Sequence, residues 1–235
     1  MTAWRPARVA AVREETASAR TLVLDVDGWD GHRAGQHVSL RLTAEDGYQA
    51  ARDYSLASAA GEPPEVTVQR MDDGEVSPWF VDVAEAGDAL EVRGPAGGWF
   101  VWDPHAGGPP LLLVAGGSGL VPLRSVLRTR VRSGDRTPVR LLVSARTADD
   151  VLYRDELAEP ADGVEVVVTL TRGAPPGWTG RTGRLDRAAL DALGSPPERE
   201  PDVYVCGPTA FVEQVASDLV AEGHDPARVR TERFG

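Results

Sequence analysis

A glycine-rich segment is the first part of this sequence whose residue types could do chemistry. It follows the apolar run 111–115 and precedes a helical pattern that begins near Leu123. Glycines at such a strand-to-helix turn let backbone N–H groups approach a pyrophosphate, and the start of the helix adds partial positive charge. Glycines also recur at these turns for steric reasons alone, so both interpretations stay open here. The residues that would bind the pyrophosphate are Gly116, Gly117, Ser118, Gly119 and Pro122.

Two competing motifs fail at the same turn. A P-loop requires a lysine, whereas all 25 basic residues of this chain are arginines. The nucleophile elbow of hydrolases needs a glycine two residues on either side of the serine, and around Ser118 these positions hold Gly116 and Leu120. The four histidines lack the spacing of metal ligands, and we interpret them as surface or loop residues: His32, His37, His105 and His224.

Composition limits the remaining kinds of chemistry. The 235 residues are 42% hydrophobic and 26% charged. The single cysteine, Cys206, excludes a disulfide framework, a thiolate-held iron–sulfur cluster and a cysteine-based zinc site. We therefore expect no metal, and any electron chemistry would need a bound organic cofactor.

Charge and hydropathy limit the partners. The net charge of −11 argues against nucleic acid, which requires a concentrated basic face. No run approaches the ~18 apolar residues of a membrane span, and residues 1–8 lack an export signal. We expect a cytoplasmic protein.

The apolar pattern changes its period partway along the chain. In residues 1–102 apolar and polar side chains alternate, as at Val38, Leu40 and Leu42, which predicts short antiparallel strands in a barrel or sandwich. Beyond the Gly/Pro-rich linker 103–110, continuous apolar runs alternate with helical patterns such as 209–222, which predicts a parallel, doubly wound sheet over 111–235. The buried runs are 111–115, 141–143, 164–169 and 203–205.

A tetrad in the first half, Arg52, Asp53, Tyr54 and Ser55, matches the Arg-x-Tyr-Ser flavin motif of the ferredoxin–NADP reductase superfamily. Further segments resemble that family in the same order and cover essentially the whole chain. They are Gly35 and Gln36, with Ala34 in place of proline; the Gly-x-x-Ser turn 74–77; the barrel end 94–97; the glycine motif 116–122; the Cys-Gly-Pro motif 206–208; and the acidic–aromatic terminus 230–235. The resemblance implies an antiparallel Greek-key β-barrel that binds flavin, followed by an α/β nucleotide domain.

The resemblance also implies roles on the flavin side. Arg52 would bind the flavin pyrophosphate with its fork of donors, Tyr54 would cover the isoalloxazine ring, and Ser55 would donate to flavin N5, where hydride arrives. The turn before an apolar helical patch would direct backbone N–H groups at phosphate. The other residues expected near the flavin are Gln36, Asp53, Gly74, Val76, Ser77 and Phe234.

On the nucleotide side, the resemblance implies that Cys206, with Gly207 and Pro208, lines the nicotinamide C4 position without acting as a nucleophile. Glu232 would place a carboxylate beside the flavin, so that Ser55, Cys206 and Glu232 form the expected catalytic set. Three arginines and a threonine resemble the 2′-phosphate site of the NADPH-dependent members of the family, which favours NADPH over NADH. Asp149 and Asp150 lie close to them in the sequence. The three arginines and the threonine are Arg146, Thr171, Arg172 and Arg181.

The function that the resemblance implies is a flavin-dependent oxidoreductase. It would pass hydride from NAD(P)H to FAD and electrons onward to a separate ferredoxin, flavodoxin or redox enzyme subunit, because the sequence carries no attached iron–sulfur domain. FAD is favoured over FMN because most of the resembled branches use it. Two alternatives stay open: a free-flavin or small-molecule (diaphorase-type) reductase, and a non-catalytic nucleotide-sensing or assembly module. The sequence leaves the oligomeric state undetermined.

Overall fold

The computed structural model describes residues 3–105 and 107–234 and divides the chain into two compact units. The first unit comprises Met1–Asp103 with Arg124–Thr129, and the second comprises Pro104–Leu123 with Arg130–Gly235. Ala106, in the expected linker, and Gly235, in the expected terminal motif, lie outside the described residues, as do Met1 and Thr2.

The first unit contains a six-stranded antiparallel sheet. Its strands are β1 (Arg5–Thr16), β2 (Ala19–Val26), β3 (His37–Thr43), β4 (Gln49–Ser55), β5 (Glu65–Gln69) and β6 (Ala89–Ala96). The order β4-β3-β6-β1-β2-β5 inserts β6 between β3 and β1, which is a Greek-key arrangement. A bridge between Leu56 and Val66 joins the regions of the two edge strands, so the sheet curls into a half-barrel.

The alternation seen in the sequence explains why these segments form strands. Val38 and Leu40 point into the core of the first unit, whereas Arg41, between Leu40 and Leu42, pairs with Glu91 on the other face of the sheet. Because successive side chains of a strand point to opposite faces, one face of β3 is dry and the other is polar. The predicted antiparallel barrel is confirmed.

The second unit contains a six-stranded parallel sheet with four helices. Its strands are β7 (Leu111–Gly116), β8 (Val139–Ala145), β9 (Val164–Leu170), β10 (Arg181–Thr182), β11 (Asp202–Pro208) and β12 (Val229–Phe234). The helices are α1 (Leu120–Ser133), of which Arg124–Thr129 belong to the first unit, α2 (Arg154–Ala158), α3 (Arg187–Leu193) and α4 (Thr209–Ala221). Every pairing in the order β10-β9-β8-β7-β11-β12 is parallel, so the predicted doubly wound sheet is confirmed.

The strand order reverses between β7 and β11, which lie side by side although they are distant in the chain. In open α/β sheets, ligands bind at the carboxyl ends of the strands beside such a switch point. The helix after β7 begins at Leu120, three residues earlier than the pattern near Leu123 suggests, because the tight helical turn Gly117–Gly119 runs directly into it.

Among the described residues, no helix has both the length and the apolar character needed to cross a membrane. In the same part of the chain, no three His, Cys, Asp or Glu side chains gather in a way that could hold a metal ion.

Candidate functional site

Arg52 connects two of the sequence segments expected to bind flavin. It lies on β4, and its Nη2 is 2.8 Å from Oε2 of Glu75, which belongs to the turn 74–77. Both side chains are about half exposed, at 54% and 51%. The fold of the first unit therefore brings the Arg-x-Tyr-Ser strand and the Gly-x-x-Ser turn together.

Glu75 has a second partner in Tyr48, a residue of the β3–β4 connection. The Tyr48 hydroxyl donates to Oε1 of Glu75 at 3.0 Å, and this bond raises the pKa of Tyr48 above its ordinary value. Neither Glu75 nor Tyr48 was among the predicted site residues. A signal was present in the sequence, because an acidic residue inside an expected phosphate-binding turn is electrostatically out of place.

Tyr54 is held by packing. Its ring meets the ring of Phe80 edge-on, with centroids 5.9 Å apart and an interplanar angle of 87°. Burial raises the pKa of Tyr54 to about 12, with a smaller opposing effect from Arg52. The hydroxyl is therefore neutral at physiological pH and can act as a hydrogen-bond donor.

The structure does not bring the Asp53 side chain together with those of Arg52 and Tyr54. Because side chains alternate along β4, Asp53 points to the opposite face, where its carboxylate accepts a 2.5 Å hydrogen bond from Ser39. Ser55, the last residue of β4, pairs with His37 of β3. A role for Asp53 toward a cofactor would have to involve its backbone.

The turn 71–77 is closed by its own hydrogen bonds. The Ser77 hydroxyl accepts from the N–H of Met71 at 3.0 Å, and the N–H of Gly74 donates to the Met71 carbonyl at 3.0 Å. A Cβ at Gly74 would lie 2.8 Å from Ser77 Oγ and 3.1 Å from the Met71 carbonyl oxygen, so a side chain there would displace the Ser77 hydroxyl. Val76 is buried in the core, and Ser77 shapes the turn that carries Glu75.

Gln36 joins two other motif segments of the first unit. Its side-chain carbonyl accepts from the N–H of Arg33 at 2.8 Å, and its amide donates to the carbonyl of Gly97 at 3.0 Å. The structure thus gives Gln36 a structural role, whereas contact with a flavin stays a prediction.

In the second unit, the glycine turn after β7 packs against the end of β11. A Cβ at Gly119 would overlap the carbonyl oxygen of Cys206, and one at Gly116 would lie 2.7 Å from the ring of Phe211. Gly117 is different, because it has a φ of +55° and open space around its Cα. Ser118 is half-buried beside it, and Pro122 lies in the buried first turn of α1.

Cys206 is 1% exposed and lies on β11 between Ala115 of β7 and Glu232 of β12. Burial raises the pKa of its thiol well above the ordinary value, and the Glu232 carboxylate raises it further. The thiol is protonated at neutral pH. A protonated thiol is a poor nucleophile, and the absence of a nucleophilic role for Cys206 stays a prediction.

Glu232 and Phe234 lie on β12, where Phe234 pairs with Pro208 in the last register position. Burial raises the pKa of Glu232 to about 7, so this carboxyl group exchanges its proton near neutral pH. Phe234 is 39% exposed. Between Glu232 and Phe234 lies Arg233, which pairs with Gly207 of β11.

The segments that follow β8 and β9 run side by side. The N–H of Arg172 donates to the carbonyl of Arg146 at 2.8 Å, and the N–H of Thr171 donates to the carbonyl of Ala145 at 2.9 Å. Arg146 and Arg172 are exposed, and neither has an ion-pair partner within 3–105 and 107–234. Two unneutralised guanidinium groups therefore project from adjacent backbone segments.

Arg181 is positioned differently. Its carbonyl accepts from Trp178 Nε1 at 3.1 Å, and its guanidinium lies 3.9 Å from Asp186. Trp178, which packs against the cluster around Val151 and Leu170, anchors this loop and was missed by the sequence analysis.

The two aspartates near Arg146 differ in their contacts. Asp150 accepts hydrogen bonds from the N–H and hydroxyl of Thr147, at 2.9 and 2.7 Å, in a capping box. The Asp149 side chain is 96% exposed and lies 3.6 Å from Arg154. The local structure therefore accounts for the Asp150 carboxylate.

Comparison with known proteins identifies two domain families in the expected order. Residues 6–101 match the oxidoreductase FAD-binding domain, and residues 113–217 match the oxidoreductase NAD-binding domain. The ferredoxin–NADP reductase B of Sorangium cellulosum (strain So ce56) is 37% identical over 246 residues, which cover 97% of this chain and 96% of that protein.

Other relatives are longer than this chain. The ferredoxin reductase component of the 3-ketosteroid-9-alpha-monooxygenase of Rhodococcus rhodochrous is 33% identical over 96% of this chain, which spans 64% of that relative. Among solved structures, the flavohem-like FAD/NAD-binding domain of nitric oxide dioxygenase from Vibrio cholerae O1 biovar El Tor superposes with a TM-score of 0.84. It is 26% identical, and the alignment covers 98% of both chains.

Proposed function

Because the chain belongs to the ferredoxin–NADP reductase superfamily, we propose that it is an NAD(P)H-dependent flavoprotein reductase. It binds FAD through its first unit and the nicotinamide nucleotide through its second. It passes electrons to a separate acceptor protein, and we place it in the cytoplasm.

The observation that carries this proposal is the meeting of Arg52 with the turn 74–77 in one unit. A guanidinium offers five N–H donors in a planar fork that suits phosphate oxygens. Here it projects, half exposed, beside a turn in which Gly74 packs closely against Ser77. This donor set fits the pyrophosphate of a dinucleotide flavin.

When bound, FAD supplies the redox chemistry, because its ring accepts hydride from NAD(P)H and returns the electrons to an acceptor. Tyr54, fixed by Phe80 and neutral at physiological pH, orients the cofactor through its ring face and hydroxyl. Ser55, the last residue of β4, offers a hydroxyl that can donate or accept, although alternation along the strand places it on the face of Asp53 rather than that of Tyr54.

The nucleotide side is the carboxyl edge of the second sheet at its switch point. Gly117 leaves the approach to the start of α1 open, while Gly119 allows the turn to pack on Cys206. Cys206, as a protonated thiol at the end of β11, presents a small apolar surface for the nicotinamide ring. Glu232, next to it, can hold a proton near pH 7.

NADPH is the preferred nucleotide in this proposal. Arg146 and Arg172 carry unneutralised charge on adjacent segments, as a 2′-phosphate requires. Of the two carboxylates nearby in the sequence, that of Asp150 is engaged by Thr147, while that of Asp149 is 96% exposed and lies 3.6 Å from Arg154.

A spectroscopic titration tests the proposal. The purified protein, or the protein after FAD addition, should be yellow and should lose its visible absorbance under anaerobic conditions when NADPH is added. Arg52→Ala should weaken FAD binding by about tenfold or more, the loss expected for a charge-assisted hydrogen bond. Arg136→Ala, which removes another exposed, ion-paired arginine, is the matched control. A protein that takes up no FAD would refute the proposal, and one that binds FAD without reduction by either nucleotide would indicate a sensor instead.

A further inference from the structure

Glu75 is the residue in the first unit whose chemistry the proposed function does not use. Its carboxylate accepts from Arg52 Nη2 at 2.8 Å and from the Tyr48 hydroxyl at 3.0 Å. It thus lies between the guanidinium and a phenol, in the middle of the turn 74–77.

Two of the five N–H donors of the Arg52 guanidinium are engaged in this arrangement. Its Nη1 donates to the carbonyl of Ala51 at 2.7 Å, and its Nη2 donates to Glu75. A carboxylate and a phosphate are both anionic groups that only accept hydrogen bonds, so they compete for the same N–H groups. An incoming diphosphate would meet a guanidinium that is already neutralised.

The charge on Glu75 would also repel the diphosphate directly. At a half-exposed site each such effect is small, because water and salt screen the charges. Tyr48 adds to the competition, since its hydrogen bond holds the Glu75 carboxylate against Arg52.

We infer that Glu75 is a built-in counter-ion of Arg52, which the flavin pyrophosphate must displace, so that Glu75 and Tyr48 lower the affinity for FAD. This inference rests on the proposed function, because it presumes that Arg52 binds the flavin. The rest of the turn, including Gly74 and Ser77, keeps its structural role.

The test compares FAD affinities of flavin-free protein. Apoprotein is titrated with FAD, and binding is followed by the quenching of flavin fluorescence. Glu75→Gln keeps the shape of the side chain and removes its charge, so it should bind FAD between about twofold and tenfold more tightly than the parent chain. The gain should shrink in high salt.

Three variants isolate the cause. Glu14→Gln is the matched control, because Glu14 also forms an exposed ion pair with an arginine, Arg20, and its loss changes the net charge equally. It should leave FAD affinity unchanged. Tyr48→Phe keeps the ring, removes the donor to Glu75, and should tighten binding by a smaller factor. In the Arg52→Ala background, Glu75→Gln should increase the affinity for FAD by a smaller factor than it does in the parent chain.

The outcomes separate the two proposals. If the parent chain binds no FAD, the proposed function fails and this inference fails with it. If the parent chain binds FAD but Glu75→Gln binds equally or more weakly, only the inference is overturned, and Glu75 would then hold Arg52 in place for the cofactor. If Glu75→Gln does not fold, the same titration is made with Tyr48→Phe. Unchanged or weaker FAD binding by Tyr48→Phe would refute the inference that Glu75 competes with the flavin pyrophosphate for Arg52.

Discussion

Cys206 and Glu232 occupy paired positions on β11 and β12, two neighbouring strands of one parallel sheet. Burial raises the pKa of both groups, and the Glu232 carboxylate raises the pKa of the Cys206 thiol further. At neutral pH the thiol therefore stays protonated, whereas Glu232, with a pKa of about 7, is the member of the pair that gains or loses a proton there.

The first prediction concerns the reactivity of the thiol. Because the thiolate is the reactive form and Cys206 is buried and protonated, a disulfide reagent should modify the folded protein slowly at pH 7. Unfolding in urea should release one reactive thiol per chain, since the sequence holds a single cysteine. Rapid modification of the folded protein at the rate of a free thiol would contradict this assignment.

The second prediction concerns the pH dependence of stability. The folded pKa of Glu232, about 7, lies above its ordinary value of 4.5, so the folded chain binds a proton that the unfolded chain has released. The resulting stabilisation is present below about pH 4.5 and is lost as pH rises through 7.

Glu232→Gln should remove this dependence, worth up to about 3 kcal/mol between the two limits. The measurement is the difference in the free energy of urea unfolding between flavin-free parent and variant from pH 5 to pH 8. A difference that stays constant across this range would exclude the raised pKa.

The third prediction separates two glycines of one turn. Gly119→Ala should destabilise the protein by about 1–3 kcal/mol or more, because the new methyl group overlaps the backbone of Cys206. Gly117→Ala should cost about 1 kcal/mol, since its only penalty is the positive φ. Thermal unfolding of both variants measures which substitution destabilises the protein more. Equal losses of stability would show that the packing of Gly119 on β11 does not contribute.

The fourth prediction concerns a buried carboxylate of the first unit. Glu65 lies 2.8 Å from Arg13 and 3.0 Å from Arg124, whose side chain is 6% exposed. Burial raises the pKa of Glu65, but hydrogen bonds from the two arginines outweigh it, and the pKa lies below its ordinary value. The stabilisation is present at neutral pH and is lost as pH falls through the folded pKa.

Glu65→Gln should therefore cost about 3 kcal/mol or more, because it removes the negative charge that pairs with the buried Arg124 and with Arg13. Chemical unfolding at pH 7 measures the loss. Glu14→Gln, which breaks an exposed pair with Arg20, should cost less than about 1 kcal/mol. A similar small loss at Glu65 would mean that Arg124 finds another partner.

The fifth prediction concerns nucleotide choice. Arg172→Ala and Arg146→Ala should each raise KM for NADPH by about tenfold while leaving KM for NADH nearly unchanged, because only NADPH carries the 2′-phosphate. Arg136→Ala, which removes an exposed arginine paired with Asp162 outside the proposed nucleotide site, is the control. Equal effects on both nucleotides would remove these residues from the 2′-phosphate role.

Both sheets could be predicted from local patterns. Alternation at Val38 and Leu40 and the continuous run 111–115 each reflect how many faces of a strand are buried, which is a local property of the sequence. The expected positions of Cys206 and the glycine turn at one sheet edge followed from the same reasoning.

The contacts of Arg52 could not be predicted in this way. Its pairing with Glu75 depends on how a distant turn folds back on β4, and no periodicity encodes that contact. Asp53 was included because it lies within a motif, although alternation along β4 already places it opposite Arg52 and Tyr54.

The close approach of Gly119 to the Cys206 carbonyl has a consequence for building chimeras from related reductases. Neither loop can be transplanted alone, because a donor scaffold that widens one segment would leave the other without a matching surface. Exchanging the two segments together should preserve the packing of the nucleotide lobe, while Arg146 and Arg172, the residues proposed to choose the nucleotide, stay outside the exchanged parts.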